Sequence, residues 1–168
     1  MKKLLFLFMS IYTFTFSITD FPSLSWKDKE FDLFMSFPGI EEDLSYLQDT
    51  KILSKEKPKE KVRSYKFHLK NGFLYKIEVI FDSLSVEKND IKNIYKTLER
   101  TMGHPTSKDP ININLGDITL HGNSITFLPD DETTVSLKGV DTLDKNNTMT
   151  DSQLILEYWD NDMLGMTR

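Results

Sequence analysis

The chain contains no cysteine. That excludes a disulfide scaffold, a thiolate metal site, a cysteine nucleophile and a lipid-modified cysteine anchor. Glycine is scarce, at 7 of 168 residues, and several of the seven sit in turn-like contexts. Little glycine is left for a phosphate-cradling loop, and neither a Gly-x-Ser-x-Gly elbow nor a Ser-x-x-Lys with a later Lys-Thr-Gly occurs. There are only three histidines, and none stands in a His-x-x-x-His or similar close ligand spacing. His121 and Asp117 are four residues apart, but on a strand that is about 13 Å, too far for one ion. No cofactor is expected from these residues, and metal catalysis is disfavoured.

What is present describes a packed, exported protein. Hydrophobic residues make up 39% and charged residues 28%, too apolar for a disordered chain and too charged for a polytopic membrane protein. Twelve Phe and six Tyr supply bulk for a core, and the length suits one domain. Met1-Lys2-Lys3 followed by an apolar stretch from Leu4 to Ile18 has the layout of a secretory signal peptide. That stretch, about 15 residues, is short for a membrane span. Thr15 and Ser17 fit the −3 and −1 subsites of a signal peptidase, so cleavage is expected after Ser17. An uncleaved N-terminal anchor is the alternative. The expectation is therefore a signal peptide over 1–17, a single globular domain over 18–168, and a periplasmic, cell-surface or secreted location with no membrane span after cleavage.

The formal net charge is −5. Removing Lys2 and Lys3 from the 21 basic residues leaves 19 against 26 acids, a net charge of −7. Such a surface disfavours nonspecific contact with nucleic acid, and no nucleic-acid partner is expected.

Along the mature chain, Ser25 to Phe37 reads as a helix with a Trp26, Phe31, Phe34, Phe37 stripe, stopped by Pro38-Gly39. Glu41 to Gln48 suggests another helical turn carrying Leu44 and Leu47. Thr50 to Ser54 and Val62 to Leu69 read as strands flanking a charged turn around Pro58. A third strand runs from Phe73 to Asp82. A three-residue loop at Lys70-Asn71-Gly72 would pair Leu69 with Phe73, Phe67 with Tyr75 and Tyr65 with Ile77, keeping both apolar rows on one face. After Ser85, residues Ile91, Ile94, Tyr95, Leu98 and Met102 recur at helical spacing, and Gly103 and Pro105 end the run. The last third reads as short strands over 118–120, 124–128, 133–137 and 154–159. Turns are expected at Gly122-Asn123 and Asp130-Asp131, and a polar loop from Gly139 to Asp151. The sum is an α+β chain with a largely antiparallel sheet, an N-terminal helix and one amphipathic helix packed on one face.

Three features give the chain a family look: the hairpin Asn71-Gly72-Phe73-Leu74-Tyr75, the helix end Gly103-His104-Pro105, and the terminal strand Leu154 to Tyr158. In these it resembles small exported bacterial proteins of unknown function, over roughly residues 60–160. The resemblance implies a fold and carries no site.

The remaining candidates are charged. Glu41-Glu42-Asp43 and Asp130-Asp131-Glu132 are contiguous, so their side chains diverge into solvent. Opposed carboxylates from separate elements, as glycoside hydrolysis requires, leave no sequence signature. Asp144, Asn146 and Thr148 imitate positions 1, 3 and 5 of a calcium loop, but Met149 and Ile155 stand where Gly and Glu belong. Residues 51–76 carry nine bases and two acids, a local +7. Within them Lys57, Lys59, Lys61, Lys66, His68, Lys70 and Lys76 form a candidate anionic-ligand patch, with Lys66, His68, Lys70 and Lys76 expected on one outer row. The plainer reading is a lysine-studded hairpin that blocks edge-to-edge strand pairing. The expected function is a non-enzymatic exported domain binding an envelope protein or an anionic envelope polymer. A cell-envelope hydrolase using Asp and Glu is the alternative.

Overall fold

The computed structural model describes residues 17–18, 21–43, 50–163 and 165. The expected signal segment lies outside them apart from Ser17, as do Leu44 and Leu47.

The architecture is one eight-stranded antiparallel sheet with two helices, richer in strand than the sequence pattern suggests. A short ribbon, β1 (Ser17–Ile18) with β2 (Phe21–Ser25), precedes α1 (Glu30–Ser36). The sheet holds β3 (Glu41–Asp43), β4 (Thr50–Lys59), β5 (Val62–Lys70) and β6 (Phe73–Phe81). After α2 (Lys88–Met102) come β7 (Ser107–Asn114), β8 (Ile118–Phe127), β9 (Thr133–Asp144) and β10 (Met149–Asp160). The spatial order is β3-β4-β5-β6-β10-β9-β8-β7. The last strand thus inserts beside β6, and the four strands after α2 extend the sheet from that seam.

Strand alternation builds the core. Leu53, Phe67, Ile77, Tyr158, Val135 and Phe127 are successive cross-strand partners on six neighbouring strands, and all are fully or almost fully buried. A parallel row, Tyr65, Val79, Leu156, Leu137 and Ile125, lies beside it. Because neighbours directly opposite share a face, one correct register aligns every apolar side chain on one side of the sheet. Phe21 of β2 meets Tyr65, Phe67 and Tyr158 edge-on, with ring centroids 5.2, 6.1 and 5.7 Å away. Leu98 and Met102 of α2 are buried in the same cluster, and Tyr95 packs 6.2 Å from Phe127. The amphipathic helix therefore packs on the apolar face through Ile94, Tyr95, Leu98 and Met102, whereas Ile91 of the expected stripe is exposed.

Several local expectations are corrected. The β5–β6 turn has two residues, Asn71 and Gly72, both at positive φ (53° and 81°). Such a turn matches strand twist, and it pairs Lys70 with Phe73 and Leu69 with Leu74. Tyr75 is then the extra residue of a bulge, beyond which Phe67 meets Ile77 and Tyr65 meets Val79. The bulge restores the phase that a longer loop was expected to supply.

At the N-terminal side, residues expected to start the helix form β2 and a turn in which Lys27 has φ 69°. The turn is held by Lys27 N–H donating to the Leu74 carbonyl (3.0 Å) and Leu74 N–H to the Asp28 carbonyl (2.8 Å). The helix begins only at Glu30, where the Asp32 carboxylate accepts the Lys29 N–H. Leu33 is its buried residue, whereas Phe31 and Phe34 of the expected stripe face outward. Glu41 to Asp43 is a strand rather than a helical turn.

Gly122-Asn123 lies inside β8 and makes no turn, and the expected polar loop after Gly139 is the distal half of a long β9–β10 hairpin. At its tip Asp144 Oδ1 accepts the N–H groups of Asn146 (2.8 Å) and Thr148 (2.9 Å). Those bonds hold the Asp144 carboxyl below the ordinary range. The supposed calcium position is the pivot of a turn.

Candidate functional site

Side chains on the outer face of β5, β6, β9 and β10 form a charge ladder. Lys66 Nζ is 2.7 Å from Asp43 Oδ2 of β3. His68 Nε2 is 3.4 Å from Glu78 Oε2. Lys76 bonds Glu78 Oε1 and stands 3.1 Å from Glu157 Oε1. Glu157 Oε2 takes Lys138 Nζ at 2.6 Å and the Trp159 indole N–H at 3.0 Å. The Lys76 ammonium also lies 4.2 Å from the Trp159 ring centroid.

These groups are largely shielded, the side chain of Glu157 being 7% exposed and that of Lys76 11%. Burial is the largest single influence on the Glu78 carboxyl and pushes it up. His68 and Lys76 together outweigh it and hold the group at about 2. Glu78 and Glu157 are directly opposed across β6 and β10, the arrangement a sequence search cannot see because the two residues are 79 positions apart. Here three of the four carboxylate oxygens are held by lysine ammonium groups or the indole, and Glu78 Oε2 faces the His68 ring. A carboxyl held at about 2 is fully ionised near neutrality, so Glu78 is a poor general acid.

The expected basic patch is therefore divided. Lys66, His68 and Lys76 do share the outer face, but each faces a carboxylate. Lys61 Nζ lies 2.9 Å from both carboxylate oxygens of Asp90 on α2, which raises its pKa. Lys57, Lys59 and Lys70 are exposed and make no ion pair among the described residues. Lys57 sits at a bulge with φ 45°, in the half of β4 that β3 leaves without a neighbour. With Lys55, Pro58 and Lys59 alongside, that free edge has the charges, proline and irregularity that hinder pairing with another strand.

A second surface has no counterpart in the sequence expectations. Phe31, Phe34 and Phe73, together with Lys29, Glu30 and the Asn71-Gly72 turn, line a shallow depression of about 500 Å³. Phe31 is 70% exposed, and Met35, one helical turn on, is 69% exposed. Among the described residues no group of three His, Asp or Glu is placed to hold a metal ion, and no helix is long and apolar enough to cross a membrane.

No family model matches the chain, and no curated protein or solved structure is significantly similar to it.

Proposed function

We propose that the chain is an exported, non-enzymatic bacterial domain of the envelope or the secreted fraction that binds a protein partner. Export rests on the Lys2-Lys3 start and the apolar stretch from Leu4. The observation that carries the binding role is the apolar surface where α1 meets the tip of the β5–β6 hairpin. Phe31, Phe34, Met35 and Phe73 are 70%, 42%, 69% and 39% exposed, although neighbouring Leu33 is fully buried. Aromatic residues and methionine are enriched in protein interfaces, and a concave apolar centre with charged neighbours is the usual layout of one. Lys29 and Glu30 at its border carry opposite charges, which favours a protein over a uniformly anionic polymer.

The hydrolase alternative loses its best carboxylate pair to the ladder, since lysine ammonium groups hold three of the four oxygens of Glu78 and Glu157 and keep Glu78 ionised. The polymer alternative rests on Lys57, Lys59 and Lys70 alone.

The test compares the natural protein with a Phe31→Ser/Met35→Ser variant as baits on native envelope fractions. The expected result is a stoichiometric protein partner bound by the natural chain and lost by the variant. Equal capture by both baits, or turnover of a cell-wall substrate abolished by one carboxylate substitution, overturns the reading. Mass spectrometry of the natural product tests export: an intact Met1 in a cytosolic fraction sinks it.

A further inference from the structure

A cavity of about 360 Å³ lies between α2 and the inner face of the sheet. Its floor and wall are apolar, with Val62, Val79, Leu156 and the rings of Tyr65 and Tyr158 below and Ile94 and Leu98 of α2 above. It is open to solvent along its lip, so apolar surface of a ligand can be buried on its floor, and its volume is at the small end of the range of ligand pockets.

The lip is polar. On α2 it consists of Asp90, Asn93 and Thr97, spaced to lie along one side of the helix, and facing them are Lys59, Glu60 and Lys61 of the β4–β5 turn. Lys61 and Asp90 neutralise each other at 2.9 Å and tie the turn to the helix. Of the two charges left, Glu60 and Lys59, the Lys59 ammonium lies over the cavity floor, 5.9 Å from the Tyr65 ring centroid. It has no ion-pair partner among the described residues.

We propose that this cavity binds a small single-chain carboxylate, with the alkyl chain on the apolar floor and the carboxylate at Lys59. The chemistry follows from the division of the cavity: apolar burial supplies the attraction, and one cation at the lip orients the molecule. The site shares no residue with the α1 surface, so the two readings stand or fall separately.

Isothermal titration of the purified protein with decanoate and with 1-decanol tests the assignment. Saturable binding of one decanoate per chain is expected, with Kd below about 100 µM. Thr97→Trp and Asn93→Trp, at exposed lip positions of α2, fill the entrance and should each weaken both ligands by at least about tenfold. Circular dichroism and the thermal midpoint show whether these variants keep the fold. Lys59→Ala should weaken decanoate by about tenfold and leave 1-decanol unchanged. No saturable decanoate binding below about 1 mM overturns the site, as does natural affinity in both folded Trp variants. Unchanged decanoate affinity in Lys59→Ala overturns the carboxylate assignment.

Discussion

Glu157 on β10 stands directly opposite Glu78 on β6, and the Lys76 ammonium bonds a carboxylate oxygen of each. Like charges opposed across a sheet repel, and Lys76 is the cation that the two carboxylates share. Removing it leaves Glu157 with Lys138 alone and leaves Glu78 shielded beside a histidine ring with no lysine. Lys76→Met should therefore cost about 3–5 kcal/mol of unfolding free energy, the range for breaking a buried ion pair from one side. The double variant Lys76→Met/Glu78→Gln should be less destabilised than the single, because it removes one of the two opposed charges. Urea unfolding of the natural protein, Lys76→Met, Glu78→Gln and the double variant measures the coupling, and strict additivity would count against the Lys76–Glu78 pair.

Acid should weaken the same ladder in a defined direction. The Glu78 carboxyl titrates at about 2 in the folded protein against an ordinary value of 4.5. A depressed carboxyl contributes stability that is fully present above its unfolded value and is lost as pH falls through its folded value. The shift corresponds to at most about 3–4 kcal/mol. Between pH 5 and pH 2 the natural protein should lose more stability than Glu78→Gln, whose side chain cannot titrate. Parallel curves of unfolding free energy against pH would rule out the contribution.

Two neighbours on α1 should behave in opposite ways. Leu33 is fully buried and Phe31 is 70% exposed. Leu33→Ala should cost about 2–5 kcal/mol through lost burial and a cavity. Phe31→Ser should change stability by no more than about 0.5 kcal/mol, as exposed positions away from caps and networks do. Thermal melts of the two variants test whether the helix is oriented as described, since a helix rotated onto its aromatic stripe would reverse the ranking.

The sequence shows the elements whose patterns are one-sided. β5, the core of β6, α2 and the terminal strand bury one face each, so alternation or helical spacing is written into Tyr65-Phe67-Leu69, Ile77-Val79 and Leu98-Met102. Elements that bury neither face leave no such mark. β7 is an edge strand of sequence Ser-Lys-Asp-Pro-Ile-Asn-Ile-Asn, and the distal parts of β9 and β10 bury no residue on either side, so backbone pairing defines them. The β5–β6 register is ambiguous in sequence for another reason. Alternation requires aligned apolar rows, and a bulge at Tyr75 supplies that alignment as well as a longer loop would. The basic residues were legible as a cluster, but their partners Asp43, Glu78, Asp90 and Glu157 come from four separate elements. The exposed α1 surface is hidden in the sequence because Phe31 and Phe34 fall in a helical stripe with Trp26 and Phe37, which do pack on the core.

Glycine at two adjoining strand positions gives the sharpest local contrast. Gly122 of β8 pairs with Val140, and Gly139 of β9 pairs with Asn123, so the two glycines are diagonal neighbours. A Cβ added to Gly122 would lie 2.0 Å from the Gly139 carbonyl oxygen and 3.0 Å from its carbonyl carbon, whereas one added to Gly139 meets nothing within 4 Å. The obstacle at Gly122 is backbone, which cannot rotate aside as a side chain does. Relief requires β8 and β9 to separate where each also carries its other neighbour. Gly122→Ala should thus cost about 1–3 kcal/mol, the usual penalty of overpacking. Gly139→Ala should be neutral or mildly stabilising, because alanine restricts the unfolded chain more than glycine does. Urea midpoints and amide exchange along β8 read the difference. Equal effects at the two sites would mean that the strands do not approach as closely as described.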